Sequence, residues 1–327
     1  MSSIITAPSC CDDMPESGTL KVDEARQKIL AAIDPITASE KLTLRNALGR
    51  VMAEDIISPI SVPGHTNSAM DGYAIAADDL PEGGNRTFQV IGKSLAGAPF
   101  NGSCNAGQCI RIMTGAVMPA GTDTVIMQEH VETVEPDSIR IDDRHRSGQN
   151  VRQAGEDITA GGTVLHASHT LVPADLGVLS SLGIGEVRVR RRPRVAFFST
   201  GDELRSIGEP LTQGDVYDSN RYSLYGMLKR LGVELLDMGV VRDDAEDLRK
   251  AFSEAASMAD VVITSGGVSV GEADYIKPIL EETGEIHFWK IAMKPGRPLT
   301  HGRIGTSLFF GLPGNPEAVM VLSLIHI

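Results

Sequence analysis

The spacing of apolar positions changes along the chain. From Val22 to Ile33, Val22, Ala25, Ile29 and the pair Ala32/Ile33 recur at the interval of one helix face. A second helix is predicted over Ser39–Ala53, followed by a Pro/Gly stretch at Ser58–Gly64. From about 67 to 155, short alternating runs stand between Gly, Pro, Asn and Asp: Thr87–Ile91, Cys109–Met113, Thr124–Gln128 and Ser138–Ile141. That pattern predicts a small all-β module. Residues 156–192 read as further short strands ending in a basic run, Arg188–Arg194, taken as a solvated strand edge.

Beyond 193 the pattern changes again. Strands are predicted at Val195–Phe198, Val233–Met238, Val261–Thr264, Ile286–Ile291 and Ser307–Phe310. Helices are predicted at Asn220–Leu231, Glu246–Ala259 and Asp274–Glu282, the second with Leu248, Phe252, Ala255 and Ala259 on one face. The alternation predicts an α/β domain with a doubly wound, mostly parallel sheet, in which ligands bind outside the carboxyl ends of the strands.

Composition narrows the function. The chain has 327 residues, enough for two or three domains, and 42% hydrophobic residues, enough for packed cores. A net charge of −13 opposes non-specific nucleic-acid binding, although a local lysine cluster can still hold an anion. No apolar run reaches the ~18–20 residues of a membrane helix, and the start has no secretory pattern, so a cytoplasmic protein without membrane attachment is expected. Cys10, Cys11, Cys104 and Cys109 show no CxxC or zinc spacing and read as reduced thiols. Residues 1–18 are polar and expected to be disordered. The last six residues, LSLIHI, read as translated sequencing adapter, which places the expected end of natural sequence near Val321.

The chemistry gathers after the strands of the last domain. Ser199–Glu203 follows the first strand, Arg242–Asp244 the second, Ser265–Asp274 the third, Lys294–Pro298 the fourth and Gly311–Pro316 the fifth. Glycine lets backbone N–H groups approach an anion, and Ser265 and Ser269 add hydroxyls. The loop is neither a Walker A sequence nor GxGxxG. Asp202, Glu203, Asp243, Asp244, Glu272 and Asp274 supply carboxylates suited to Mg²⁺ beside a phosphate, although Asp244, and less so Asp243, can instead cap the following helix. Lys290, Lys294 and Arg297 are candidate oxyanion partners; Lys290 lies beside Trp289 in an apolar strand, where a charge needs a reason. In the first half, 67–74 (NSAMDGYA), 111–116 (RIMTGA) and 155–158 (GEDI) place polar groups in Gly turns. The histidines form neither a triad nor a metal-like set. Read from the residues alone, the chain is a multidomain α/β protein that binds an anionic, phosphorylated ligand with Mg²⁺.

These three segments, with 198–204 (FSTGDEL), 264–275 (TSGGVSVGEADY), 293–298 (MKPGRP) and 311–316 (GLPGNP), stand in one order that resembles the molybdopterin molybdenumtransferase (molybdenum insertase) family, which includes the E domain of gephyrin. The resemblance runs from about residue 20 to 321. It implies an enzyme that takes adenylated molybdopterin and molybdate, cleaves the adenylate with Mg²⁺, places molybdenum on the dithiolene and releases AMP. It implies a homodimer with a transient contact to the molybdopterin adenylyltransferase. The implied domains are 193–321 as the molybdopterin-binding α/β domain, 58–155 as the β module, and 19–57 with 156–192 as a mixed α+β spanning domain; a C-terminal β-domain is missing. By position, Asp274, Glu203 and Asp243 match the catalytic and metal acids. Lys290, Lys294, Pro298 and Pro313 match the molybdate pocket, with Arg297 where lysine is common. Gly266, Gly267 and Ser269 match the pterin-phosphate loop, and Asp71, Thr114 and Asp157 match functional positions contributed to the other subunit. Two other readings stand beside it: an adenylyltransferase, which shares TSGGVS, and a non-catalytic scaffold like gephyrin.

Overall fold

The structure is a computed structural model that describes residues 19–266, 278–279, 282 and 284–326. It divides into two compact units, one formed by the chain up to Thr37 with Arg191–Ile327, the other by Ala38–Arg190.

The first unit is built on a seven-stranded sheet. Its spatial order is Thr19–Leu20, Gly284–Ile291, Pro298–Ile304, Ser307–Leu312, Val261–Ser265, Arg194–Thr200 and Glu234–Val241. All strands run the same way except Pro298–Ile304, which is antiparallel to both neighbours. The period-2 geometry of a strand then divides the apolar side chains between two faces. Val195, Phe197, Ile263 and Phe310 pack with Leu224 and Leu228 of the helix Ser219–Leu231, Ala25 and Ile29 of Val22–Ala31, and Val319 and Leu322 of Pro316–His326. Ala196, Phe198, Val262 and Phe309 pack with Leu248, Phe252 and Ala255 of Ala245–Met258. Phe252 meets Phe198 and Phe309 edge-on, with ring centroids 5.4 and 5.7 Å apart. Both faces are covered, as a mostly parallel sheet requires.

One expectation for this unit changes. Residues 19–37 group here and not with 38–57, because Ala25 and Ile29 are buried on the sheet and Arg303 Nη2 donates to Ala32 O at 2.6 Å beyond the helix end. The basic run stays largely solvated, with Arg188, Arg192 and Arg194 exposed, and Arg191 and Arg194 pair with Asp260 and Glu234 at 2.8 and 3.3 Å. The final helix continues through the suspected tail, with Leu322 fully buried. The expected disorder of 1–18 and the bulk of the helix expected at Asp274–Glu282 lie outside the described residues.

The second unit carries a six-stranded sheet in the order Thr124–Met127, Gly72–Ile75, Gln108–Ile112, Arg86–Ser94, Ser138–Ile141 and Glu132–Glu135. Beside it, Val151–Arg152 pairs with Asn67–Ser68, and Glu186–Arg190 with Ser39–Thr43. That second ladder corrects the helix expected at Ser39–Ala53. The backbone of 39–43 is paired residue by residue with 186–190, and a short 3-10 turn at Leu44–Asn46 then delivers Ala47 to a core with Met52, Leu171 and Leu179. The strands expected across 156–192 give way in part to a helix, Pro173–Ser181. Pro173 opens it where a missing N–H costs nothing, and Asp175 accepts from Val172 N at 2.8 Å.

Candidate active site

Because Gly284–Ile291, Ser307–Leu312, Val261–Ser265, Arg194–Thr200 and Glu234–Val241 share one direction, the loops after them lie on one edge of the sheet. Three of these strand ends meet closely. Gly266 N donates to Leu312 O at 3.0 Å. Gly266 has φ +95°, and a Cβ there would sit 2.3 Å from Thr200 O, so only glycine allows this approach. Gly314 closes on the same point, its Cβ position lying 4.0 Å from Gly266 Cα.

Asn220, in the first turn of Ser219–Leu231, ties the loops together. Its Nδ2 donates to Ser265 Oγ and to Gly314 O, both at 2.8 Å. The helix is fixed from below: buried Asp218 caps it through Arg221 N and accepts from Ser199 Oγ at 3.0 Å. Arg221 bridges Asp218 and Asp237 at 3.1 and 3.0 Å. Burial works against its charge, but these two carboxylates outweigh burial and raise its pKa. Buried Thr200 Oγ1, Thr264 Oγ1 and Asn220 Oδ1 have no hydrogen-bond partner among the described residues. Asn220 was not singled out from the sequence. The available signal was Asp218-Ser219-Asn220 ahead of an amphipathic run, the composition of a helix start.

The acids lie on the adjoining loops. Asp243 N donates to Asp202 Oδ1 at 3.3 Å, which links the loop after Glu234–Val241 to the loop after Arg194–Thr200. Exposed Glu203 folds its carboxylate over Gly201, within 2.7–2.9 Å of where a Cβ would stand. Asp244 is the cap of the next helix, accepting from Glu246 N and Asp247 N at 2.9 and 3.2 Å. An open cleft of ≈ 700 Å³ runs along these loops, lined by Gly201, Asp202, Arg205, Ser206, Glu209 and Arg242. Among the described residues no three His, Cys, Asp or Glu side chains form a metal-ligand group. Glu203 and Asp243 still fit Mg²⁺, which needs one or two carboxylates and takes its other oxygens from phosphate and water. Gly267, Ser269 and Asp274 lie outside the described residues.

The basic residues occupy the turn between Gly284–Ile291 and Pro298–Ile304, on the same edge. Lys290 is exposed and paired in register with Pro298, so its charge is not buried in the apolar strand as the sequence suggested. Lys294 and Arg297 are exposed and have no ion-pair partner among the described residues; Pro313 is buried. Ile291 N donates to Arg297 O at 2.7 Å, and Gly296 packs against Leu322 and Met293, which anchors the turn.

In the second unit the structure joins two of the three sequence segments directly. Asp71 Oδ1 accepts from Thr114 N and Thr114 Oγ1, both at 2.8 Å, and Gly115 N donates to Ser68 O. The Thr114 N–H and hydroxyl, with Arg111 nearby, hold the Asp71 carboxyl below its usual range. Arg111 itself lies over the Tyr73 ring, 4.9 Å from its centroid. The third segment joins through the Val151–Arg152 and Asn67–Ser68 ladder, and Arg152 binds both Glu156, at 2.7 Å, and Asp157.

Comparison with known proteins puts a boundary near the same point, between residues 183 and 196, although the first match begins at residue 20 and so includes the helix Val22–Ala31. Residues 20–183 match the MoeA N-terminal region (domain I and II), and residues 196–327 match a probable molybdopterin binding domain. A molybdopterin molybdenumtransferase of Haemophilus influenzae is 47% identical over 302 residues, covering 92% of this chain and 74% of that protein. One from Nostoc sp. is 39% identical over 300 residues, covering 90% and 69%. The crystal structure of the molybdopterin biosynthesis moeA protein from Pyrococcus horikoshii superposes with a TM-score of 0.80 at 31% identity, covering 94% of this chain and 77% of that one.

Proposed function

Because the chain belongs to the molybdopterin molybdenumtransferase family, we propose that it inserts molybdate into adenylated molybdopterin and releases AMP. It is a transferase of molybdenum cofactor biosynthesis. The observation that carries the reaction is the meeting of the Thr200, Gly266 and Gly314 loops on Asn220, a glycine-lined edge where backbone N–H groups can approach an anionic ligand.

In this reading Gly266, Gly267, Ser265 and Ser269 present N–H and hydroxyl groups to the phosphate. Glu203, Asp243 and Asp274 hold Mg²⁺. When bound, Mg²⁺ neutralises charge on the phosphoryl oxygens as the adenylate bond breaks. Lys290, Lys294 and Arg297, with Pro298 and Pro313, hold molybdate close to the dithiolene, so that the two reactants meet as a pre-oriented pair. The enzyme works as a cytoplasmic homodimer in which Asp71, Thr114 and Asp157 serve the cleft of a second copy, and it receives its substrate through a transient contact with the adenylyltransferase. An adenylyltransferase identity leaves the whole Ala38–Arg190 unit without a role, so the insertase reading is preferred over it.

The metal assignment is tested by AMP release as a function of Mg²⁺. Glu203→Gln and Asp243→Asn should each raise the half-saturating Mg²⁺ concentration about tenfold, the effect of losing roughly 1.4 kcal/mol of ligand interaction. Wild-type Mg²⁺ dependence in both variants would remove these residues from the metal site.

A further inference from the structure

We propose that Asn220 is a positioning residue: it clamps the Ser265–Gly266 strand end to the Gly314 loop and thereby sets the geometry of the phosphate-binding edge. The inference rests on the insertase reading of that edge. The orientation of the amide is fixed chemically. Gly314 O can only accept, so the nitrogen of Asn220 must face it, and the same nitrogen donates to Ser265 Oγ; both distances are 2.8 Å. The two loops it joins come from strands paired in parallel, Val261–Ser265 and Ser307–Leu312, whose last paired residues are Ser265 and Leu312. Past that pair the backbone link is Gly266 N to Leu312 O, at 3.0 Å, and Asn220 supplies the next tie.

The clamp is itself held rigidly. Asn220 stands two residues after the buried cap Asp218, which is locked by Ser199 Oγ and Arg221. Its Oδ1 is buried with no partner among the described residues, and so is Thr200 Oγ1, which lies 3.2 Å from the Cβ position of Gly266. The amide therefore spends both described bonds on the loops through one nitrogen. Replacing it by a carboxylate removes the donor to Gly314 O and sets a negative charge beside the anion site.

The test is calorimetric titration of AMP with Mg²⁺ into the full chain, with melting temperature measured in parallel. Asn220→Ala should weaken AMP about tenfold. Asn220→Asp, which keeps the shape, should weaken it further, and the excess should shrink as salt is raised, because it is charge repulsion. Asn220→Ala and Ser265→Ala together should cost less than the sum of their separate effects, since both remove the Asn220–Ser265 bond, while the loss of the Ser265 hydroxyl from the phosphate remains in either background. Wild-type protein that binds AMP, with both Asn220 variants within twofold of it, overturns the clamp even if their melting temperatures fall. Wild-type protein that does not bind AMP overturns the reading of the edge, and the clamp with it.

Discussion

Gly266→Ala tests the close approach of the strand ends most sharply. The new Cβ would stand 2.3 Å from Thr200 O, while real Cβ contacts stay beyond about 3.0 Å, so the two strand ends must part by about 0.7 Å. The φ of +95° adds backbone strain of about 1–2 kcal/mol, and overpacking of this kind costs about 1–3 kcal/mol. The sum, about 2–5 kcal/mol, predicts a melting temperature for the α/β unit lower by roughly 5–15 °C. Gly305→Ala separates the two contributions. Its φ is +57° with nothing within 4 Å of the Cβ position, so it carries backbone strain alone. Thermal unfolding of both variants, followed by AMP titration, reads the difference. Gly266→Ala should melt several degrees below Gly305→Ala and lose AMP affinity, while Gly305→Ala keeps wild-type affinity. Equal melting temperatures with equal affinity would refute the tight meeting of Thr200, Gly266 and Leu312.

Two further outcomes follow from the titratable groups. His301 is buried between Trp289 and Phe310, with ring centroids 5.3 and 4.8 Å away, and desolvation pushes its pKa down to about 4. The unfolded imidazole takes up a proton at higher pH than the folded one, so this stability is present above about pH 6.5 and is lost as pH falls toward 4, by about 3 kcal/mol; urea unfolding of His301→Phe should lose that part of the pH slope, and an unchanged slope would exclude His301 as its source. Thr114→Val removes the hydroxyl donor on Asp71 but leaves the N–H, so the Asp71 carboxyl should titrate closer to its ordinary 3.8 in an NMR pH series, and an unmoved value would show that the hydroxyl does not stabilise the carboxylate.

How much of this was legible in the sequence depended on what burial surrounds each segment. Arg194–Thr200 is covered on both faces, and its unbroken Val195–Phe198 run announces it. The Ser265–Gly266 turn was legible for a similar reason, since adjacent glycines after a buried strand have few purposes other than close approach. Ser39–Thr43 was not, because only Leu42 of its five residues is even half-buried, and the decisive partner, Glu186–Arg190, lies more than 140 residues away. Pro173–Ser181 hid because Leu179 alone is buried and Gly177 interrupts its apolar face. The meeting of Asp71 with Thr114 spans 43 residues and follows from strand pairing that no local pattern encodes. Asn220 escaped because its role lies in which two loops it joins, and that is settled by sheet order.

Insertase activity is tested by mixing the full chain with adenylated molybdopterin and Mg²⁺ and measuring AMP with and without molybdate. AMP release should depend on molybdate and stop when Mg²⁺ is chelated, with molybdenum recovered on the pterin in amount equal to the AMP. AMP absent under all conditions, although the adenylate binds, would contradict insertase activity in this chain.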